Sequence, residues 1–261
     1  MKTTASNLIS EEGVAKAFDK QAAIFDAVFS KNQIVQYKRE KVRRHVDELL
    51  KPASHILELN AGTGEDAIYF ARRGHRVHAT DLSLAMGMVR LRKIQETGLD
   101  SQISSACCSF SDLGNLSEKG PYDMVFSNFA GLNCTPSLEN VLDSLDPLVK
   151  PGGLVTLVLL PKICFWEMAL ALMGNWKTAF RRFSGKKGTK AHIEGEYFRC
   201  WYYNPSFVVK RLQKSFTPIM LEGLCSLVPP SYLENFPLHY PRLYSWLRKQ
   251  EQRSGNHWPW N

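Results

Sequence analysis

Residues 56–65, Ile56-Leu57-Glu58-Leu59-Asn60-Ala61-Gly62-Thr63-Gly64-Glu65, run from an apolar stretch through a glycine-bearing turn into an acidic helix start. Glycines at 62 and 64 let the backbone approach a ligand closely, and the helix that follows offers free N–H groups in its first turn. Asp81 closes the next apolar run. A carboxylate there accepts hydrogen bonds from both hydroxyls of a ribose. Together these residues point to an adenosine-containing ligand at the carboxyl ends of strands. Gly62-Thr63-Gly64-Glu65-Asp66-Ala67 formally matches the dinucleotide fingerprint G-x-G-x-x-G/A, with Asp81 near the required separation. Glu58 weighs against a diphosphate. A carboxylate before the turn suits a ligand carrying a cationic amino group and a sulfonium.

The elements that must position these residues follow from hydrophobic periodicity. Short apolar runs at 55–59, 76–80, 103–108, 123–127 and 154–160 predict five strands. Helices are predicted at 65–73, closed by Gly74, and at 83–97, followed by Gly98. A further helical face, Leu138, Val141, Leu142, Leu145 and Leu148, follows Thr135-Pro136, which reads as a cap with proline at the first helical position. Strands apolar on both faces and separated by helices predict an α/β, Rossmann-like, mostly parallel sheet with helices on both faces.

The expected organisation is an N-terminal helical region over the cofactor cleft (1–52), a ligand-binding core (53–160) and a variable substrate-covering region (161–261). The first carries Val14, Phe18, Ile24 and Phe25 on one face, and Ile34, Val35, Val42, Val46, Leu49 and Leu50 on another. The last is read as a helix at 165–183, a flexible basic loop at 185–188 and strands at 196–203 and 218–228. Helices at 205–216 and 231–252 complete it, the latter broken around Pro237 and Pro241.

The chain has 261 residues, 44% hydrophobic and 22% charged, which fits a globular α/β protein and argues against disorder. Its formal net charge of +8 either favours an anionic partner or belongs to a basic enzyme with no such partner. Cys107, Cys108, Cys134, Cys164, Cys200 and Cys225 include no C-x-x-C pair and no zinc spacing. They read as reduced, mostly buried thiols of a cytoplasmic protein without a metal site. The N-terminus lacks the apolar run of a signal peptide, and the longest apolar region, 154–173, is broken by Pro161-Lys162 and Glu167, which excludes a confident membrane span.

The ordered set of motifs resembles the class I S-adenosylmethionine-dependent methyltransferases, especially bacterial small-molecule ones, over roughly residues 15–160. Glu58-x-Asn60-x-Gly62-x-Gly64 resembles their first motif, and Asp81-Leu82-Ser83 with Met86 their second-strand motif. Ser109-Phe110 stands where relatives line the adenine pocket. Residues 122–129, ending in Asn128-Phe129, resemble the fourth motif, and 148–153 the turn before the fifth strand. The resemblance implies S-adenosyl-L-methionine as cofactor and S-adenosyl-L-homocysteine as product. It implies a binding set of Glu58, Asn60, Ala61, Gly62, Gly64, Asp81, Leu82, Met86, Ser109, Phe110, Asn128 and Phe129. Within it, Asp81 takes the ribose and Leu82 and Met86 pack on adenine, while Asn128-Phe129 face the methionine end. Two positions depart from the pattern: Asn60 replaces the first glycine, and Ser109 a common acidic residue. Where relatives carry a last strand the chain has Trp258-Pro259-Trp260-Asn261, so that strand is expected to be missing or supplied from elsewhere.

Methyl transfer needs alignment and exclusion of water, and a base only when the nucleophile must lose a proton. His192, near Glu194 and Glu196, and His239 are the candidate bases. Tyr202, Tyr203 and Tyr240 are candidates for a substrate hydroxyl, and Phe18, Phe25 and Phe129 for a cation–π contact to the sulfonium. The apolar stretch at 163–174 followed by basic residues at 181–187 has three readings. It is a lid over an apolar, anionic acceptor, a helix resting on a membrane surface, or a buried helix followed by a solvated loop. The expected partner is a small-molecule acceptor, with an RNA or protein methyltransferase, or a catalytically silent cofactor-binding module, as the alternatives. Nucleic acid is disfavoured, because Ser127-Asn128-Phe129-Ala130 stands where base-amine methyltransferases carry N-P-P-Y. The oligomeric state is left open.

Overall fold

The structure, a computed structural model, describes residues 2–172, 174, 176–183 and 185–255. Five strands form one parallel sheet in the order β3-β2-β1-β4-β5: β1 His55–Leu59, β2 Arg76–Asp81, β3 Ile103–Cys107, β4 Tyr122–Ser127 and β5 Val149–Leu157. The chain builds outward from β1 to β3, then returns to place β4 on the other side of β1. That reversal opens a crevice at the carboxyl ends of β1 and β4.

Alternation along β1 distributes the core. Ile56 joins Met124, Phe126 and Phe70 on one face, while Leu57 and Leu59 join Val125, Leu138 and Val141 on the other. The first face is covered by α2 (Gln33–Leu49), α3 (Glu65–Ala71) and α4 (Leu84–Thr97), the second by α5 (Leu138–Asp143). Their ends follow local chemistry. Asn32 caps α2 by accepting from Ile34 N and Val35 N, and Ser83 caps α4 by accepting from Met86 N. Gly98, at φ 65°, ends α4.

Several expectations need correction. The helix after Thr135-Pro136 begins only at Leu138, because Thr135 is extended and its hydroxyl accepts from Ser137 N instead of capping the helix. β5 starts at Val149, ahead of its expected position, and is an edge strand, so its residues are exposed or half-buried rather than covered on both faces. The 165–183 helix is two helices, α6 (Phe165–Leu172) and α7 (Trp176–Phe180), separated around Gly174 at φ 81°. The 185–188 loop contains a 3-10 turn.

A strand unseen in the sequence, β6 (Thr189–Ile193), pairs antiparallel with β7 (Glu196–Cys200). The expected strand at 218–228 is irregular chain. The 231–252 helix is divided into α9 (Phe236–His239) and α10 (Pro241–Ser254), after α8 (Pro205–Leu212). Prolines 237 and 241 each sit in the first turn of a new helix, where a missing N–H costs nothing. No strand after β5 joins the main sheet among the described residues, and Trp258-Pro259-Trp260-Asn261 lie outside them. Among the six thiols only Cys134 is buried, and Cys107 is exposed.

Candidate cofactor and acceptor site

The parallel register sets Leu59 beside Ser127, which brings the residues just beyond each strand together. Asn60 is left-handed at φ 47°, a conformation asparagine accepts better than other non-glycine residues. Its side chain turns toward the β4 end, where Oδ1 accepts from Ser127 Oγ at 3.1 Å and Nδ2 donates to Asn128 O at 3.2 Å. A glycine would make neither bond. The departure from the motif therefore ties the first loop to the fourth.

Gly62 (φ 54°) and Gly64 (φ 79°) carry the rest of the turn. Ala61 N donates to Thr80 O at 2.9 Å, which fastens the loop to β2. Asp81 then holds two segments at once. Oδ2 accepts from Gly62 N and Oδ1 from Ser83 N, both at 2.8 Å. Burial pushes the Asp81 carboxyl above its ordinary range, against the pull of those two N–H groups and of Arg90.

Arg90, on α4, is one residue that sequence reasoning missed. It is 1% exposed. Nη1 donates to Gly62 O at 2.7 Å and Nε to Ser105 Oγ at 3.0 Å, and its charge faces both Asp81 and Glu58. A Cβ on Gly64 would stand 2.7 Å from Arg90 Cγ, so Gly64 serves the packing as well as the turn.

Glu58 is 3% exposed, and its Oε2 has no hydrogen-bond partner among the described residues. Burial and the neighbouring Asp66 carboxyl push it well above the usual carboxylate range, further than Arg90, Arg43 and Arg39 pull it back. A buried carboxylate oxygen without a donor is the feature a cationic ligand group would satisfy.

Asn128 is buried and donates from Nδ2 to Asp66 Oδ2 at 2.9 Å, while its Oδ1 accepts from Phe129 N at 2.8 Å. Asp66 also accepts from Arg43 Nε at 2.6 Å. Phe129, at φ 52°, presents a half-exposed ring to the Arg39 guanidinium at 4.8 Å and to Lys38 Nζ at 5.7 Å. Met86 is fully buried, Leu82 half-buried, and Phe110 packs on the core beside Leu113 and Leu116. Phe18 and Phe25 instead pair with Phe198 and Phe29.

Helix α1 (Lys2–Phe29) lies over this end of the sheet. Glu11 accepts from the hydroxyls of Ser109 and Ser111; Asp19 accepts from Ser83 Oγ at 2.6 Å and Ala85 N at 3.0 Å; Asp26 accepts from Thr63 Oγ1 at 2.6 Å and Lys93 Nζ at 2.8 Å. These carboxylates recur every seven or eight residues, two helical turns apart, and so share one face. That spacing is the sequence signal that could have found them. Ser109, in the position usually acidic, thus receives a carboxylate from α1.

The structure does not bring the two histidines to this cleft. β6 alternates, with Ala191 and Ile193 packed toward α1 and His192 on the opposite, exposed face, its ring 4.6 Å from Tyr197. Neither Glu194 nor Glu196 orients it: Glu196 pairs with Lys20 at 2.6 Å. His239 is exposed on α9, with Tyr240 as its ring neighbour at 6.3 Å. Tyr203 donates to Thr135 O, Tyr202 lies beneath Arg182 at 5.0 Å, and Tyr240 is exposed.

Residues 56–153 match the family model described as "Methyltransferase domain". The chain is 29% identical over 124 residues to tuberculostearic acid methyltransferase UfaA1 of Mycobacterium tuberculosis, covering 44% of this chain and 27% of that one. It is 32% identical over 148 residues to demethylmenaquinone methyltransferase of Streptomyces avermitilis, covering 55% and 58%. The chain thus spans from about a quarter to three-fifths of the length of these curated relatives. Among solved structures, the [4+2]-cyclase SpnF superposes with a TM-score of 0.63 at 15% identity, covering 94% of this chain and 92% of that one. Residues 56–153 thus match a methyltransferase domain, and the five-stranded parallel sheet has the Rossmann-like fold of class I S-adenosylmethionine-dependent methyltransferases.

Proposed function

We propose that this protein transfers a methyl group from S-adenosyl-L-methionine to a small, partly apolar acceptor. The observation that carries the reading is the pairing of Asp81, anchored between Gly62 and Ser83, with a buried Glu58 whose Oε2 lacks a donor among the described residues. A ribose presents hydroxyls to the first, and a methionine ammonium donates to the second, whereas the diphosphate of a dinucleotide offers Glu58 no donor. The cofactor supplies a methyl group already activated by its sulfonium. The protein's residues then hold and align. Asn60 and Asn128 fix the two loops beside the methionine end, and α1 excludes water through its three carboxylate contacts.

Phe129, with Arg39 and Lys38 against its ring, supports an acceptor that combines an apolar body with an anionic group. The relatives named for a fatty acid and for a menaquinone precursor are in keeping with an apolar body. The likeness to a protein named as a cyclase is a reminder that this fold hosts other reactions. Calorimetry with S-adenosylhomocysteine tests the cofactor. Asp81→Ala removes charge-assisted bonds to two hydroxyls, each worth about 1.5–3 kcal/mol, and is expected to weaken binding at least tenfold. Methyl-labelled cofactor in a cell extract tests the acceptor. Label in the organic-soluble fraction supports the proposal. Label in RNA or protein overturns the small-molecule part, and cofactor binding without any label points to a binding module.

A further inference from the structure

The chain's positive charge is not spread evenly. Residues 161–193 contain seven lysines and arginines against one carboxylate, Glu167. Glu167 is 1% exposed and spent internally, accepting from both Arg181 and Arg182. The surface of this stretch is therefore cationic, with Lys177, Lys187 and Lys190 all exposed.

Large apolar side chains stand exposed in the same stretch. On α7 and the turn after it, Trp176, Phe180 and Phe183 follow at the spacing of one helical face, 61%, 57% and 50% exposed. Their rings pack on one another, Trp176 to Phe180 and Phe180 to Phe183 at 6.0 Å each, rather than into the core. Met168 on the adjoining α6 and Ile163 just before it are exposed too. An exposed ladder of three mutually packed aromatic rings is uncommon on a surface that faces only water.

We propose that the 161–193 face docks on an anionic lipid bilayer, its aromatic ladder entering the headgroup boundary and its lysines meeting lipid phosphates. Charge decides among the candidate occupants. A second copy would bring one strongly cationic face against another, which repels. A nucleic acid backbone would satisfy the lysines but leave Ile163, Met168 and Phe183 in water. A bilayer interface takes both kinds of group at once. No helix among the described residues is long and apolar enough to cross a membrane, so the contact is peripheral.

The test is co-sedimentation of the full chain with phosphatidylcholine vesicles, with and without about one-third phosphatidylglycerol, at low and at about 0.5 M salt. Binding only to the anionic vesicles, released by salt, is expected. F180S/F183S and K177E/K187E should each lower the partition coefficient about tenfold. Both variants should keep the parent's melting temperature and S-adenosylhomocysteine affinity, which separates this surface from the cofactor site. The two pairs differ in chemistry, so loss of folding in one leaves the other as the test. Absence of vesicle binding, equal binding to neutral vesicles, unaltered binding by both variants, or competition of the vesicle complex by RNA would each overturn the proposal.

Discussion

Arg90→Met gives the most direct test of how the ligand loop is held. Methionine keeps an unbranched stem beneath Gly64 but removes the guanidinium from a site that is 1% exposed. Two hydrogen bonds disappear, to Gly62 O and Ser105 Oγ, and the half-buried Asp81 and buried Glu58 lose a shared counter-charge. Removing one partner from a buried charged group costs about 3–5 kcal/mol. At about 2–4 °C per kcal/mol for a chain of this size, melting should fall by roughly 6–20 °C near neutral pH.

The pH dependence supplies the sign. Asp81 and Glu58 are both raised in the folded chain, and Arg90 pulls each down. Without Arg90 both rise further, so the folded variant binds protons more readily than its unfolded form. Its deficit is full above the folded values and shrinks as pH falls through them toward the ordinary carboxylate range. Urea unfolding of parent and variant across pH 5–8 measures this. A deficit under about 1 kcal/mol near neutral pH, or one that does not shrink on acidification, would refute the assignment of Arg90 as the counter-charge.

Three further outcomes follow from the same site. Glu58→Gln substitutes a neutral group for a carboxyl that burial already drives toward neutrality; it should raise thermal stability at neutral pH, the gain fading as pH drops into the ordinary glutamate range, while weakening S-adenosylhomocysteine binding roughly tenfold or more in calorimetry. Gly64→Ala places a methyl against Arg90 and a side chain at φ 79°, costing about 1–3 kcal/mol in urea unfolding. Asp19→Asn weakens the bonds to Ser83 Oγ and Ala85 N, so amides of α1 should exchange faster in hydrogen exchange while those of β1 and β4 stay protected.

The start and edge position of β5 were not legible, whereas local sequence encodes strands β1 to β4, the glycine turn with Asp81 after it, and the order of motifs along the core. Each is encoded locally: an apolar run sets a strand, glycines 62 and 64 set the positive-φ turn, and Ser83 caps the helix beside the carboxylate it serves. Asn60 was legible as a tolerated left-handed residue, but its bridge to Ser127 and Asn128 depends on the register between β1 and β4, which no single segment carries.

The remaining features arise from packing between segments far apart in the chain. Arg90 reads as one more basic residue on a helix until α4 turns it under the loop. The carboxylates of α1 meet Thr63, Ser83, Ser109 and Ser111 across separations of 37 to 100 residues. The 189–200 hairpin, whose alternation turns His192 outward, was half missed because a short strand with charged outer positions resembles a loop in sequence. What a residue does in this site follows from which neighbours desolvate it and which charges face it, and those neighbours are chosen by the packing of distant segments.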